Sequence, residues 1–339
     1  MTPGRGGVAD VRADRAEYST REDARAWGLA RLREAGLDAR EAWVEADLLL
    51  RHAAGLTREE TLLRPSAPLG DEAGEAYAAL IARRAAGWPS AYLTGRCEFC
   101  GLLLDVDPRV LIPRPETERL VEVAVAALAA RPAPLIVDVG TGSGAIALAL
   151  THLLPGARAV ATDLSDGALA VARANAGRLG LAGRIIWRRG DALDALAGVV
   201  PPAGADAICA NPPYVPTADL AALAREIREH EPRGALDGGP DGLAVHRRIV
   251  GAAAPYLRPG GLLVLETSAL GQQARAVAAL IGAEGTFAPA EIVRDYAGLD
   301  RVVVAARLAS FNGGVPADPP PAITISTPAR GAAGRGDAP

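Results

Sequence analysis

The stretch that most limits the fold lies between residues 135 and 153. Leu135-Ile136-Val137-Asp138-Val139 reads as a buried strand and Gly140-Thr141-Gly142-Ser143-Gly144 as a tight loop, with a helix from Ala145 to Leu153. Strand, glycine loop and helix in that order bring backbone N–H groups and a helix N-terminus up to a ligand, and side chains in the loop would block that approach. The spacing is Gly-x-Gly-x-Gly rather than Gly-x-Gly-x-x-Gly, and no Lys-Ser or Lys-Thr pair follows. This weighs against a phosphate cradle and weakens a dinucleotide reading.

Further strand and helix units follow. Ala159-Val160-Ala161-Thr162-Asp163 is a second strand, and Asp163 ends it about twenty residues past the glycine loop, where a carboxylate can accept both hydroxyls of a ribose. The bland alternative is that Asp163 caps the helix that starts near Ser165. Arg184-Ile185-Ile186-Trp187 runs into Gly190-Asp191-Ala192, where Asp191 is placed to accept from an adenine amino group, unless it is an ordinary turn aspartate. Gly260-Gly261-Leu262-Leu263-Val264-Leu265-Glu266 is a buried strand, and residues 291–296 and 301–305 look like a closing pair. Strands alternating with helices from 133 to 308 imply an α/β fold with a mostly parallel sheet.

The apolar run 205–210 ends in Asn211-Pro212-Pro213-Tyr214. Open α/β sheets hold their ligands at such carboxyl ends of strands. Two prolines fix φ twice and donate no N–H, so nearby carbonyls can be aimed outward. Asn211 offers an acceptor and a donor, and Tyr214 a flat face with a polar tip. A planar NH2 group is a poor nucleophile because its lone pair is delocalised. The Asn211 side-chain oxygen and the Pro212 carbonyl can each take one of its N–H bonds and aim the nitrogen at an electrophile. Positioning of this kind supplies on the order of 7 to 11 kcal/mol at best. The alternative is a proline-stiffened turn.

Composition removes several classes. The formal net charge is −4 over 339 residues, with no long basic run, so a basic duplex-binding groove is not expected. Cys97, Cys100 and Cys209 are too few and odd in number for a disulfide framework. Cys97 and Cys100 have the spacing of a redox or metal pair, but no second pair or histidine cluster accompanies them, so no metal is expected. His52, His152, His230 and His246 are scattered, with no nucleophilic triad. No signal peptide and no long apolar span is read, so a cytoplasmic protein without a membrane segment is expected.

Residues 18–90 are Ala-rich and helical in pattern, with starts near Ser19-Thr20 and Asp38 and a third helix near 73–86. They are read as a small bundle able to recognise a partner, or else as a stabilising extension. Residues 91–112 change character. The runs 91–95, 98–102 and 104–106 read as short strands around turns, giving a β-hairpin linker. Residues 111–118, Leu-Ile-Pro-Arg-Pro-Glu-Thr-Glu, form an extended lead-in to a helix over 119–130, and Arg114, Glu116 and Glu118 either face solvent or line a pocket. Residues 237–243 are a Gly-rich turn cluster. Residues 1–17 and 309–339 are expected to be disordered.

Residues 138–144, Asp163, Asp191 and Asn211 to Tyr214 together resemble S-adenosylmethionine-dependent methyltransferases acting on planar nitrogens. Residues 112–118, 92–101 and 238–243 narrow the resemblance to the protein-(glutamine-N5) methyltransferases of peptide chain release factors. It covers about residues 20–308. It implies a Rossmann-like class I methyltransferase domain over 113–308, joined by the hairpin to a helical substrate-recognition domain over 18–90. It implies S-adenosylmethionine as cofactor, release factors as protein substrate, and the glutamine of their Gly-Gly-Gln loop as the methylated residue. Gly140, Thr141, Gly142, Ser143 and Gly144 would line the methionine part of the cofactor, Asp163 the ribose, and Asp191 with Ala192 the adenine. Asn211, Pro212, Pro213 and Tyr214 would hold the glutamine amide, with Asn211 also beside the cofactor. Two positions depart from the pattern: Ala192, where some members carry an aromatic, and Ser268, where many carry glycine. Direct binding of nucleic acid, a membrane or a metal is not implied. The rival readings are methylation of a glutamine in another protein, such as a ribosomal protein, methylation of an exocyclic amine of a nucleic acid, and a non-catalytic binding module.

Overall fold

The structure, a computed structural model, describes residues 18–269 and 272–309. The segments 1–17 and 310–339, which hold the expected disordered termini, lie outside the described residues. In chain order the helical part contains α1 (Arg21–Glu34), α2 (Ala39–Ala54), α3 (Arg58–Leu63), α4 (Asp71–Ala85) and α5 (Ser90–Thr94). Then come β1 (Arg96–Phe99), β2 (Leu102–Asp105), α6 (Glu118–Leu128), β3 (Leu135–Val139), α7 (Ala145–Leu153), β4 (Arg158–Asp163), α8 (Asp166–Arg178) and β5 (Ile185–Arg189). The chain continues with β6 (Ala205–Ala210), α9 (Arg225–His230), α10 (Ala244–Ala253), β7 (Leu257–Glu266), α11 (Gln273–Ala283), β8 (Glu291–Arg294) and β9 (Asp300–Ala306).

Two compact units result. The first contains residues up to Cys97, Asp105–Ile112 and Ala221–Arg233. Helices α1 and α2 start where the sequence supplies caps: Thr20 and Asp23 form a capping box on α1, and the Asp38 carboxylate accepts from the N–H groups of Arg40 and Glu41 at the head of α2. Ala24, Leu32, Ala42, Ala46, Leu49, Leu50, Tyr77 and Ile81 pack between the helices. Arg84 is buried in this unit and paired with Glu45, with Glu41 at 3.4 Å and with Glu226 at 2.9 Å. The Trp88 ring stacks on His230 with centroids 4.3 Å apart. The segment Ala221–Arg233, inside the span 113–308 expected for the catalytic domain, therefore packs with the helices.

Residues 91–95 do not form a strand. They lie in α5 and its cap: Pro89 sets the entry at φ −60°, Gly95 ends the turn at φ 71°, and Tyr92 and Leu93 are buried. The Tyr92 hydroxyl donates to the Val110 carbonyl at 2.5 Å. A five-residue run is too short for its periodicity to separate helix from strand, so packing against α2 and α4 decides. The hairpin is β1–β2 alone, joined by Cys100 and Gly101 at φ 48° and 74°, the two left-handed positions of a type I′ turn. The Cys100 thiol is pushed up to about 12 by burial and by Glu118 and Glu122, so it stays protonated.

The second unit holds Glu98–Leu104, Pro113–Leu220 and the chain from Gly234. Its sheet has the strand order β5-β4-β3-β6-β7-β9-β8, in which β5 through β7 are parallel and β9 is antiparallel to both neighbours. Side chains alternate between two apolar faces. Ile136, Ala159, Ala207 and Val264 face one way, with α6 and α7 residues such as Leu120 and Leu148. Val137, Val160, Ile208 and Leu263 face the other, with Ile249 of α10 and Val277 of α11. The chain starts in β3, winds outward to β4 and β5, then returns to the other side of β3 to form β6 and β7. The strand order thus reverses between β3 and β6, which is where doubly wound sheets open a crevice at their carboxyl ends.

Candidate active site

The glycine loop leaves β3 at that reversal. Gly140 and Thr141 donate their N–H groups to the Thr162 carbonyl of β4, each at 2.9 Å, and Gly144 donates to the Thr141 carbonyl at 2.8 Å. Beneath the loop lies Asp138, fully buried. One of its oxygens accepts from the Thr141 hydroxyl at 2.6 Å and from the Ala147 N–H at 3.0 Å, while Oδ1 has no partner. Burial pushes the Asp138 carboxyl up to about 7, against the pull of those two hydrogen bonds. The Asn175 amide donates to the Ser143 carbonyl at 3.0 Å from α8. The loop is bound to its own strand–helix unit and to the next one.

Asp163 closes β4 beside this loop. Its Oδ2 accepts from the Gly142 N–H and its Oδ1 from the Ser165 N–H, both at 2.9 Å. The side-chain cap of α8 is Ser165, which accepts from Ala168. Asp163 thus ties the glycine loop to the start of α8, and a carboxylate with about four lone-pair sites keeps capacity for further donors. Asp191 follows β5, and its carboxylate is paired with Arg248 of α10 at 2.7 Å. Ala192 holds a left-handed conformation at φ 50°, and its carbonyl accepts from the Thr162 hydroxyl at 3.2 Å. Thr162 therefore links the glycine loop and the Asp191 turn.

Asn211 is the first residue after β6. Val139 and Ala210 are register partners on adjacent parallel strands, so Gly140 and Asn211 leave the sheet side by side, about 5 Å apart by the usual strand spacing. The Asn211 Nδ2 donates to the Thr117 hydroxyl oxygen at 3.1 Å. Pro212 is buried; Pro213 and Tyr214 are half-buried. The Tyr214 carbonyl accepts from the Gln273 amide at 2.8 Å, and the Tyr214 phenol is pushed up to about 12 by burial and by Glu266. The turn cluster 237–243 lies against this loop. Gly238 donates to the Val215 carbonyl at 2.8 Å, and a Cβ on Gly242 would stand 2.3 Å from the Tyr214 carbonyl oxygen. Ser268, one of the two departures, donates its N–H to Gln273 Oε1 at 3.1 Å.

Glu266 ends β7 at 0 % exposure, and neither of its carboxyl oxygens accepts a hydrogen bond of good geometry. Burial pushes it up to about 7, while the Thr117 hydroxyl and Arg301 pull it down. Among the described residues no group of three or more His, Cys, Asp or Glu side chains is arranged to hold a metal ion, and no helix is long and apolar enough to cross a membrane.

Residues 23–95 match the model of the PrmC N-terminal domain, and residues 136–234 that of a methyltransferase domain. A release factor glutamine methyltransferase of Moorella thermoacetica is 46 % identical over 264 residues, covering 78 % of this chain and 91 % of the relative. The chain belongs to the release factor glutamine methyltransferase family. Members from Gloeobacter violaceus and Geobacter sulfurreducens are 43 % and 42 % identical, covering 84 % and 82 % of this chain and 97 % and 93 % of those relatives.

A release factor glutamine methyltransferase uses S-adenosylmethionine, and this chain is an S-adenosylmethionine-dependent methyltransferase. The residues present fit that cofactor on one structural observation. A Cβ on Gly140 or Gly142 would meet nothing within 4 Å, so the glycine loop borders open space instead of packed protein. Reading the sequence for this family missed Asp138, Thr117, Glu266 and Gln273 as parts of the site. Two of them carried a signal, since Asp138 and Glu266 are acids in otherwise apolar strands. Thr117 and Gln273 carried none, because only the fold brings them to Asn211 and Tyr214.

Proposed function

We propose that this enzyme methylates the side-chain amide nitrogen, N5, of the glutamine in the Gly-Gly-Gln loop of peptide chain release factors. The observation that carries the reading is the side-by-side exit of Gly140 and Asn211 from adjacent strands, with the Asn211 Nδ2 taken by Thr117 and Oδ1 left to accept. Family membership at 46 % identity supports a release factor as the substrate class. A release factor is a cytoplasmic translation protein, which puts the enzyme in the cytoplasm.

Gly140, Thr141, Gly142, Ser143 and Gly144 would hold the methionine part of the cofactor, Asp163 the ribose, and Asp191 with Ala192 the adenine. Asp191 would accept from the adenine amino group while keeping its pair with Arg248. When bound, S-adenosylmethionine supplies a methyl group on a sulfonium centre. The chain's own part is to present the nucleophile. Asn211 Oδ1 and the Pro212 carbonyl each accept one N–H of the glutamine amide, which fixes the nitrogen and raises its electron density. Pro213 keeps the loop rigid. Tyr214 lends its ring face to the glutamine side chain, and its phenol, pushed up to about 12, remains a donor at neutral pH. The helical domain over 18–90 holds the body of the protein substrate.

Mass spectrometry of a release factor co-expressed with the enzyme tests the reading. One added methyl on the loop glutamine is expected. No gain there, with methyl appearing instead on a ribosomal protein or on nucleic acid, would overturn it. Asn211→Ala is expected to lower the methylation rate on the order of 10²-fold, as for loss of one preorganised hydrogen-bonding group. A wild-type rate in that variant would remove Asn211 from the mechanism.

A further inference from the structure

Gln273, the first residue of α11, makes two hydrogen bonds with one side-chain amide. Its Nε2 donates to the Tyr214 carbonyl at 2.8 Å, and its Oε1 accepts from the Ser268 N–H at 3.1 Å. A carbonyl only accepts and a backbone N–H only donates, so each partner demands the end of the amide that it meets, and a flipped amide would satisfy neither. Gly242 leaves room for the bond: a Cβ there would lie 2.4 Å from the Gln273 Nε2 and 2.3 Å from the Tyr214 oxygen.

The Tyr214 carbonyl belongs to the same planar unit as the Val215 N–H. That N–H donates to the Leu236 carbonyl at 3.0 Å, and the Val215 carbonyl accepts from Gly238 at 2.8 Å. The plane between residues 214 and 215 is therefore pinned at both ends, its oxygen by Gln273 and its nitrogen by Leu236. At the other end of the loop, Ala210 is held in the sheet between Val139 of β3 and Leu265 of β7.

The freedom left between these two anchors can be counted. Four residues, Asn211 to Tyr214, carry two soft dihedrals each. Pro212 and Pro213 each fix one of them, which leaves six. Joining two fixed planes in space also takes six conditions, three of position and three of orientation. A chain with as many rotations as conditions has only separate, discrete solutions, so the loop cannot slide from one shape to another while both anchors hold. The same dihedrals aim Asn211 and the Pro212 carbonyl. Releasing the Tyr214 oxygen lets its plane turn about the remaining N–H bond, and the two acceptors turn with it.

We propose that Gln273 is a positioning residue for methyl transfer, latching the peptide between residues 214 and 215 so that Asn211 Oδ1 and the Pro212 carbonyl converge on the two N–H bonds of the substrate amide. The proposal rests on the reading that these two oxygens receive that amide. The latch acts on the substrate side. The bonds that hold the glycine loop come from Asp138, Thr162, Asp163 and Asn175, and none of these lies on α11. A displacement of about 1 Å in such a grip costs up to about 10²-fold in rate.

The test compares Gln273→Leu, Gln273→Glu and Asn211→Ala in the full chain, with a release factor as methyl acceptor. Calorimetry with S-adenosylhomocysteine verifies the fold and reads the cofactor side. Gln273→Leu keeps the bulk and loses both bonds, so kcat is expected to fall about 10-fold or more, with cofactor affinity within about twofold of wild type. Gln273→Glu separates a latch from mere packing. Protonated, its carboxyl donates to the Tyr214 carbonyl and accepts from Ser268, as the amide does; ionised, it sets two acceptors against each other. The ratio of its rate to the wild-type rate is expected to rise about 10-fold or more as pH is lowered from about 8 to about 5.5, toward the ordinary glutamic acid value near 4.3. Dividing by the wild-type rate at each pH removes the titrations that both proteins share, those of Glu266 on β7 and His246 on α10 among them. A wild-type rate in Gln273→Leu, a loss of cofactor affinity as large as the loss of rate, or a flat ratio for Gln273→Glu overturns the latch. If the Gln273 variants run at wild-type rate while Asn211→Ala is slow, the latch alone fails and the Asn211 clamp stands. A wild-type rate in Asn211→Ala removes the clamp, and the latch with it.

Discussion

Two loops leave the same end of the sheet on neighbouring strands, and they are held by opposite means. The glycine loop is fastened from within. Asp138, Thr141 and Ala147 lie close together in sequence, and the remaining ties come from Thr162, Asp163 and Asn175 in the adjoining strand–helix unit. The Asn211 loop is fastened from outside. Its partners are Thr117, far upstream, and Gly238, Gly242 and Gln273, all downstream. A loop that receives a small, constant cofactor can be specified by its own residues. On the proposed function the second loop grips one amide presented by another protein; it takes its shape from several elements at once, so its geometry depends on the whole unit being assembled.

The sharpest way to break the external hold is Gly242→Ala. Gly242 has φ +74°, and a Cβ there would lie 2.3 Å from the Tyr214 carbonyl oxygen and 2.4 Å from the Gln273 amide nitrogen. The oxygen is backbone and cannot swing aside. Strain and overlap together are expected to cost roughly 3 kcal/mol. Methyl transfer should fall further than cofactor affinity, because the displaced group is the Pro-Pro-Tyr loop. Thermal unfolding and cofactor calorimetry on the same sample check both halves. Unchanged melting and activity would show that the turn cluster does not hold the loop.

This contrast also explains what could be read in the chain. The order of strands and helices in the sheet domain follows from local pattern, since apolar runs end in turns and the glycines sit between strand and helix. The caps of α1 and α2 were legible for the same reason: Thr20 and Asp38 act within three residues of themselves. The helix α5 was not, because five residues carry no period and burial against α2 and α4 decides. Neither was the packing of Ala221–Arg233 with the helical unit, which depends on Glu226 meeting Arg84 and His230 meeting Trp88. Within the site, the residues of the two loops stood out by composition. Their external anchors did not, because a threonine in a Pro-Glu-Thr-Glu run and one glutamine in a helix look like surface residues until the sheet closes.

The internal hold is probed through Asp138. Its carboxyl is raised from an ordinary 3.8 to about 7 by burial, so the native state holds a proton that the unfolded chain has already lost. The stability this contributes is complete below 3.8 and disappears as pH rises through about 7. Between those limits the slope attributable to Asp138 approaches about 1.4 kcal/mol per pH unit, falling with rising pH. Asp138→Asn carries no such titration. Urea unfolding of wild type and variant, without cofactor, is expected to give curves that diverge in slope between about pH 4 and 7 whatever their offset. Parallel curves would mean that Asp138 titrates as an ordinary surface acid.

The finest distinction separates two glycines of one loop. Gly142 has φ +56°, and its Cβ would enter open space; a Cβ on Gly144 would stand 2.9 Å from a Leu148 methyl and 3.2 Å from the Ala172 Cβ. Both substitutions pay for the left-handed backbone, about 1 kcal/mol. They differ in where the methyl goes. In Gly142→Ala it enters the space assigned to the cofactor, so cofactor affinity should fall by about tenfold, worth 1.4 kcal/mol, with stability lowered only by the backbone term. In Gly144→Ala it presses on α7 and α8, so stability should fall by roughly 1–3 kcal/mol more, while the affinity of the folded fraction changes little. Calorimetric affinity and unfolding free energy of the two variants therefore move on different axes. If Gly142→Ala instead kept wild-type affinity, the open space beside residues 140 and 142 would not be where the cofactor lies, and a loop fastened from within would have another purpose.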